Sequence, residues 1–198
     1  MSLRIDAFYG PSSPWAYFGA SRLYEIADRH GCDLVLRPIR VVQENGGIML
    51  RTRPQARQDY HAVELDRWRR YLGMPLNLCP KFYPCRSIVL AACTMIAAQR
   101  AGLDARRLSF AIQRALWAED RDIADIGTLR SIAGEQDIPD PDGLIVENWP
   151  QTIVDEWEGN LAEAVRIGIF GTPTYVVDGT LYWGQDRLEF LERDLTGT

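Results

Sequence analysis

The sequence predicts an α/β fold, a thioredoxin-like domain interrupted by an all-helical insertion. Three observations predict it. Near the start, apolar residues alternate with a period of two, and the spacing then turns helical and returns to a strand. A long stretch with helical spacing only follows. Two short β-rich runs joined by Asp178-Gly179 come after it.

In the first strand Leu3, Ile5, Ala7 and Tyr9 alternate with Arg4, Asp6 and Phe8, so at least one face is buried, and Gly10-Pro11 ends it. From Pro14 the spacing is helical, with Ala16, Gly19, Ala20, Leu23, Ile26 and Ala27 on one face and Gly31 as a stop. Leu34, Val35, Leu36 and Ile39 form a second strand, and the opening reads as a right-handed parallel β-α-β unit. After a Gly- and Arg-rich connection from Asn45 to Pro54, the pattern is helical. Ile88, Ala91, Ala92, Met95, Ile96 and Gln99 make a helix apolar almost all round, and Leu108, Ala111, Ile112, Ala115 and Leu116 keep the i, i+3, i+4 rhythm. Residues Pro139 to Gly143 read as a turn. A further helix begins near Pro150, at its first helical position, with Ile153, Val154, Trp157, Leu161, Ala164 and Val165 inward. Asp178-Gly179 between Thr174–Val177 and Thr180–Trp183 is a strong hairpin signal, and a last helix covers about Asp186 to Asp194. The expected boundaries are 1–41 and 150–198 for the thioredoxin-like domain and 42–149 for the insertion.

Composition removes several function classes. With 198 residues, 46% hydrophobic and 25% charged, the chain is long and apolar enough for a core without disulfide staples. No apolar run approaches the ~18 residues of a membrane span, and the alternation from Met1 to Gly10 leaves no room for a signal peptide, so a cytoplasmic location is expected. A net charge of −5 with no basic tract argues against nucleic acid. Cys32, Cys79, Cys85 and Cys93 form no C-x-x-C pair and, with only His30 and His61, no zinc spacing; they are expected to be buried, reduced thiols. His61 with Glu64 lacks a second histidine, Leu65 standing at i+4, and is expected at the surface. Asp120, Asp122 and Asp125 read as a solvated run, and Tyr60, Trp68, Trp117 and Trp157 as core and interface aromatics. No metal is expected.

The chemistry points to the junction of the first strand and first helix. A helix N-terminus presents unpaired N–H groups and a positive dipole end, which stabilise a thiolate. Thioredoxin-type redox proteins place C-x-x-C there; here the four places read Ser13-Pro14-Trp15-Ala16. Ser13 suits an N-cap, and its hydroxyl can also donate to a thiolate that a cofactor brings. Thr172-Pro173 stands immediately before the third strand, where thioredoxin-like domains carry a cis-proline and pair the preceding backbone with a bound peptide. Trp183-Gly184-Gln185-Asp186 opens the last helix, with Asp186 suited both to an N-cap and to an ammonium.

Together these motifs resemble the glutathione-dependent 2-hydroxychromene-2-carboxylate isomerases, within the DsbA-like thioredoxin superfamily and close to kappa-class glutathione transferases. The resemblance covers nearly the whole chain. It rests on Ser13-Pro14, on the tract from Tyr60 to Trp68 followed by Met74-Pro75-Leu76, on Phe170 to Thr174 and on Trp183 to Leu188. It implies glutathione as cofactor, a small aromatic substrate and a homodimer. Ser13 would sit beside the glutathione sulfur, Thr172 and Pro173 beside its cysteinyl part, and Trp183, Gly184, Gln185 and Asp186 at its γ-glutamyl end. It also implies substrate contacts, for which this chain offers Asn45, Arg51, Arg53 and Tyr83, with Arg86 as a further clamp for a carboxylate. A kappa-like transferase or peroxidase, and a non-catalytic binding module of the same fold, stay open as alternatives.

Overall fold

The computed structural model of the chain describes residues 3–197. In chain order it runs β1 (Arg4–Tyr9), α1 (Pro14–Arg29), β2 (Asp33–Pro38), α2 (Gln55–Leu72), α3 (Val89–Arg100), α4 (Ala105–Ala118), α5 (Ile126–Glu135), α6 (Pro141–Leu144), α7 (Gln151–Arg166), β3 (Thr174–Val177), β4 (Thr180–Trp183) and α8 (Leu188–Thr196). The sheet order is β2-β1-β3-β4, with β1 parallel to β2 and antiparallel to β3. This is a DsbA-like thioredoxin fold: the helices α2 to α6 are inserted between the β-α-β opening and the closing α-β-β-α part.

The period of two in β1 fixes which layer each residue meets. Ile5, Ala7 and Tyr9 join the core shared with α1, and Phe8 joins Ile39, Val42, Ala164 and Ile169 under α7. Asp6 also points to the α7 side, where it accepts from Arg37, whose other nitrogen reaches Asn160. The main core runs without interruption from the sheet through α1 into Met95, Leu108, Ile112, Leu116, Trp117 and Leu129 of the inserted helices. The exposed edge of β2 is closed by one side chain: Gln99 of α3 accepts from Leu36 N–H at 2.8 Å and donates to its carbonyl at 3.3 Å.

Several expectations change. Pro139 to Gly143 is not only a turn: Asp140 caps Gly143 N–H and Pro141 presets the first helical position, which gives the single-turn α6. Pro150 is the N-cap of α7 rather than its first residue. The last helix starts later, at Leu188, behind a 3-10 turn of Gln185–Arg187 capped by Gly184, so Asp186 is not an N-cap. Among the thiols Cys32 and Cys93 are buried, but Cys85 is only half-buried and Cys79 is exposed, in the loop between α2 and α3. Asp178 and Gly179 both take positive φ, 46° and 80°, the two-residue hairpin turn whose twist matches the strands it joins.

Candidate functional site

Ser13 is the N-cap of α1: its backbone is extended (φ −80°, ψ 121°), and its Oγ accepts from Ala16 N–H at 3.3 Å. That bond uses an oxygen lone pair, and the hydroxyl proton meets no acceptor among the described residues. Opposite stands Thr172, joined to Pro173 by a cis peptide bond. A methyl group built on Gly10 would lie 3.5 Å from Thr172 Oγ1 and 3.6 Å from Ser13 Cβ, so the end of β1 brings the two side chains face to face. The N–H and C=O of Thr172 pair with nothing among the described residues, which suits an added strand of peptide.

The turn after β4 is tied to the same place, because Gly184 N–H donates to Pro173 O at 2.8 Å. Gly184 needs its φ of 99°, and a Cβ there would lie 2.4 Å from Asp186 Oδ1. Trp183 lies against Gly171, where a side chain would come within 2.3 Å of its Nε1, and packs edge-on against Phe170 at 4.7 Å. Gln185 is buried at 2% exposure, whereas Asp186 is exposed and ion-paired at 2.8 Å with Arg187. The Thr172-Pro173 segment therefore joins the Ser13 end of the site to the 183–186 turn, with Pro173 and Gln185 buried and Trp183 and Asp186 exposed.

Beneath it, Ala16 and Pro173 roof a cavity of about 20 Å³ walled by Tyr9, Tyr24 and Gln113. Ser109 donates to the Tyr9 hydroxyl at 2.9 Å and accepts from Gln113 at 3.2 Å, and burial pushes the Tyr24 hydroxyl up to about 12. These hydroxyls stay protonated and fix the floor.

Of the residues expected on the substrate side, Arg53 and Tyr83 come within electrostatic reach of each other, and the others have structural or solvent-exposed places. Asn45 donates its amide to the carbonyls of Ala164, Val165 and Ile169, where it closes the C-terminal end of α7. Arg86 is held by Asp122 at 3.1 Å and by the Ala124 carbonyl. Arg51 is exposed, and Arg53 donates to the Ile48 carbonyl. Tyr83 packs on Trp117 at 4.7 Å, and burial raises its hydroxyl while the Arg53 charge acts the other way. Asp120 accepts from Asn77 and from Lys81 N–H, and Asp125 caps α5, so the acidic run has structural partners.

Two residues that matter here escaped the sequence reading. His61 is half-buried rather than a free surface residue: its ring meets Trp15 edge-on at 5.4 Å, and its buried Nε2 has no partner among the described residues. Burial, and then the Arg53 charge, hold its pKa below the usual histidine range. Arg22, three residues beyond Gly19 on α1, donates to Gln185. A glycine inside a helical pattern was the available signal, since it marks close packing.

Comparison with known proteins agrees with this geometry. The chain is 27% identical over 202 residues to a 2-hydroxychromene-2-carboxylate isomerase of Sphingobium xenophagum, covering 97% of each chain. Among solved structures, a 2-hydroxychromene-2-carboxylate isomerase superposes with a TM-score of 0.73 at 20% identity, over 98% of this chain and 95% of that one. The cytosolic disulfide reductase DsbM of Pseudomonas aeruginosa, solved with GSH, superposes at 0.67 and 22% identity, over 98% of this chain and 100% of that one. The family described as the DSBA-like thioredoxin domain matches residues 4–196. With that match over nearly its whole length, and with the cis-proline and helix N-terminus that define the site in place, the chain belongs to the DSBA-like thioredoxin domain family.

Proposed function

We propose that this protein is a glutathione-dependent isomerase that interconverts 2-hydroxychromene-2-carboxylate and trans-o-hydroxybenzylidenepyruvate, or a related aromatic 2-oxo acid. The observation that carries the proposal is Ser13: a hydroxyl with an unengaged proton at the start of α1, facing Thr172 and the cis-proline, with alanine and not cysteine three residues on. A dithiol reaction has no sulfur there, whereas a thiolate carried by a cofactor finds a donor and a helix dipole.

The residues fit glutathione. The unpaired backbone of Thr172 suits its cysteinyl part, and the Asp186 carboxylate suits its ammonium. When bound, glutathione supplies the nucleophilic sulfur. Ser13 donates to that sulfur and holds it ionised near neutral pH. The chemistry is an addition and its reversal. Bound glutathione would supply a thiolate able to add reversibly to the conjugated carbon and so free the former double bond to turn. The chain's own part would be the Ser13 hydroxyl and the α1 N-terminus that hold the sulfur ionised and the Thr172 backbone that orients it. Nothing is oxidised or reduced, and the cofactor is recovered. The same reading places the protein in the cytoplasm as a homodimer.

The test is to follow the absorbance spectrum of 2-hydroxychromene-2-carboxylate with purified protein. Conversion should need glutathione and should slow in Ser13→Ala. Glutathione conjugates as the product would favour a transferase instead, and no glutathione-dependent change at all would overturn the proposal.

A further inference from the structure

We infer that Arg22 is the positioning residue for the turn of residues 183–186; the inference rests on the reading that this turn receives the γ-glutamyl end of glutathione. Arg22 lies nine residues beyond Ser13, roughly 13 Å along α1 at 1.5 Å per residue. One of its terminal nitrogens donates to the backbone oxygen of Gln185 at 2.6 Å and also to Gln185 Oε1. The guanidinium thereby fixes both the backbone and the rotamer of a residue that is 2% exposed and directly precedes Asp186.

Gly19 makes that approach possible. A methyl group there would stand 2.5 Å from the Tyr175 hydroxyl and 2.9 Å from Gln185 Cβ, so α1 lies against the turn with no side chain between them. The turn's other anchor is the Gly184 N–H bond to Pro173. Arg22 thus links the helix that begins at Ser13 to the loop that carries Asp186, and the sulfur end and the γ-glutamyl end of the site are held by one rigid element. Its Nε is buried and unpartnered among the described residues, so Gln185 is the partner that its hydrogen bonds show.

The consequence is specific to one half of the ligand. Loosening the turn weakens binding of glutathione and leaves binding of cysteinylglycine, which lacks the γ-glutamyl group, as it was. Calorimetric titration of the whole protein with each compound tests this, beside steady-state kinetics on the chromene carboxylate. In Arg22→Met the glutathione Kd and KM should rise roughly tenfold, as for a lost hydrogen bond from a charged group. The cysteinylglycine Kd should not move, and kcat at saturating glutathione should stay within about twofold. Arg22→Lys should fall between. If circular dichroism shows Arg22→Met to be unfolded, the Lys variant decides by the same ratio of the two affinities. Unchanged glutathione binding in a folded variant, or equal weakening of both compounds, overturns the inference while the functional reading stands. Absence of glutathione binding by the unaltered protein overturns both.

Discussion

Ser13 caps α1 and, in the proposed reaction, also donates to the cofactor's thiolate, and Ser13→Ala removes both. Loss of the N-cap bond to Ala16 should cost about 1 kcal/mol of stability, seen as a lower melting temperature. Loss of the donor should displace the pH–rate profile with glutathione toward higher pH, because the bound thiol ionises less readily. Ser13→Asp tells the two apart: it is a good cap with no proton to donate near neutral pH, and it should recover stability without recovering the profile. At His61 the sign runs differently. Its pKa is held down by burial and by Arg53, so on acidification the unfolded chain takes up a proton before the folded one does. The stability this ring confers is complete above the unfolded value of roughly 6.5 and is lost as pH falls through the lower folded value. Thermal melts between about pH 7 and about pH 5 should therefore decline more steeply in the native protein than in His61→Gln; parallel curves would show that His61 does not contribute.

The secondary-structure elements show how far the sequence could be read. Strand alternation, the Asp178-Gly179 turn and the Ser13 cap were legible, because each depends on residues within a few positions of one another. Asn45, Arg86 and His61 were not. Their partners, the end of α7, Asp122 and Trp15, are brought to them only by the packing of separate helices. Helix α2 is an example: Leu65 is the one buried residue from Gln55 to Leu72, so its pattern alone does not say which face meets α1. Along α1, by contrast, every residue from Ala16 to Ala20 is buried, since the helix lies between the sheet and the inserted helices. Gly19 is the tightest point of that packing. Gly19→Ala should be destabilising by roughly 1–3 kcal/mol through overpacking against Tyr175 and Gln185, although alanine favours helices more than glycine does. Denaturant melts would check it, and a stabilised variant would show that the turn yields easily.

Across the whole molecule, one apolar core joins the sheet to the inserted helices, from Ile5 and Tyr175 to Leu129 and Ile132. Neither part buries its apolar surface without the other, so the two should unfold together. Far-ultraviolet circular dichroism and tryptophan fluorescence should report coincident denaturant transitions with a single midpoint; separated midpoints would show that the insertion folds by itself. Among the described residues no helix is long and apolar enough to cross a membrane. The place on this framework that oxidoreductases reserve for sulfur holds Ser13 and Ala16. Peroxide therefore finds no cysteine of the chain there to turn into a sulfenic acid or a mixed disulfide, and burial holds the Cys85 and Cys93 thiols up at about 11, away from the reactive form. Among the chain's four thiols, Cys79 on its outer loop is the exposed one, and it is there that an oxidant meets the protein's own sulfur.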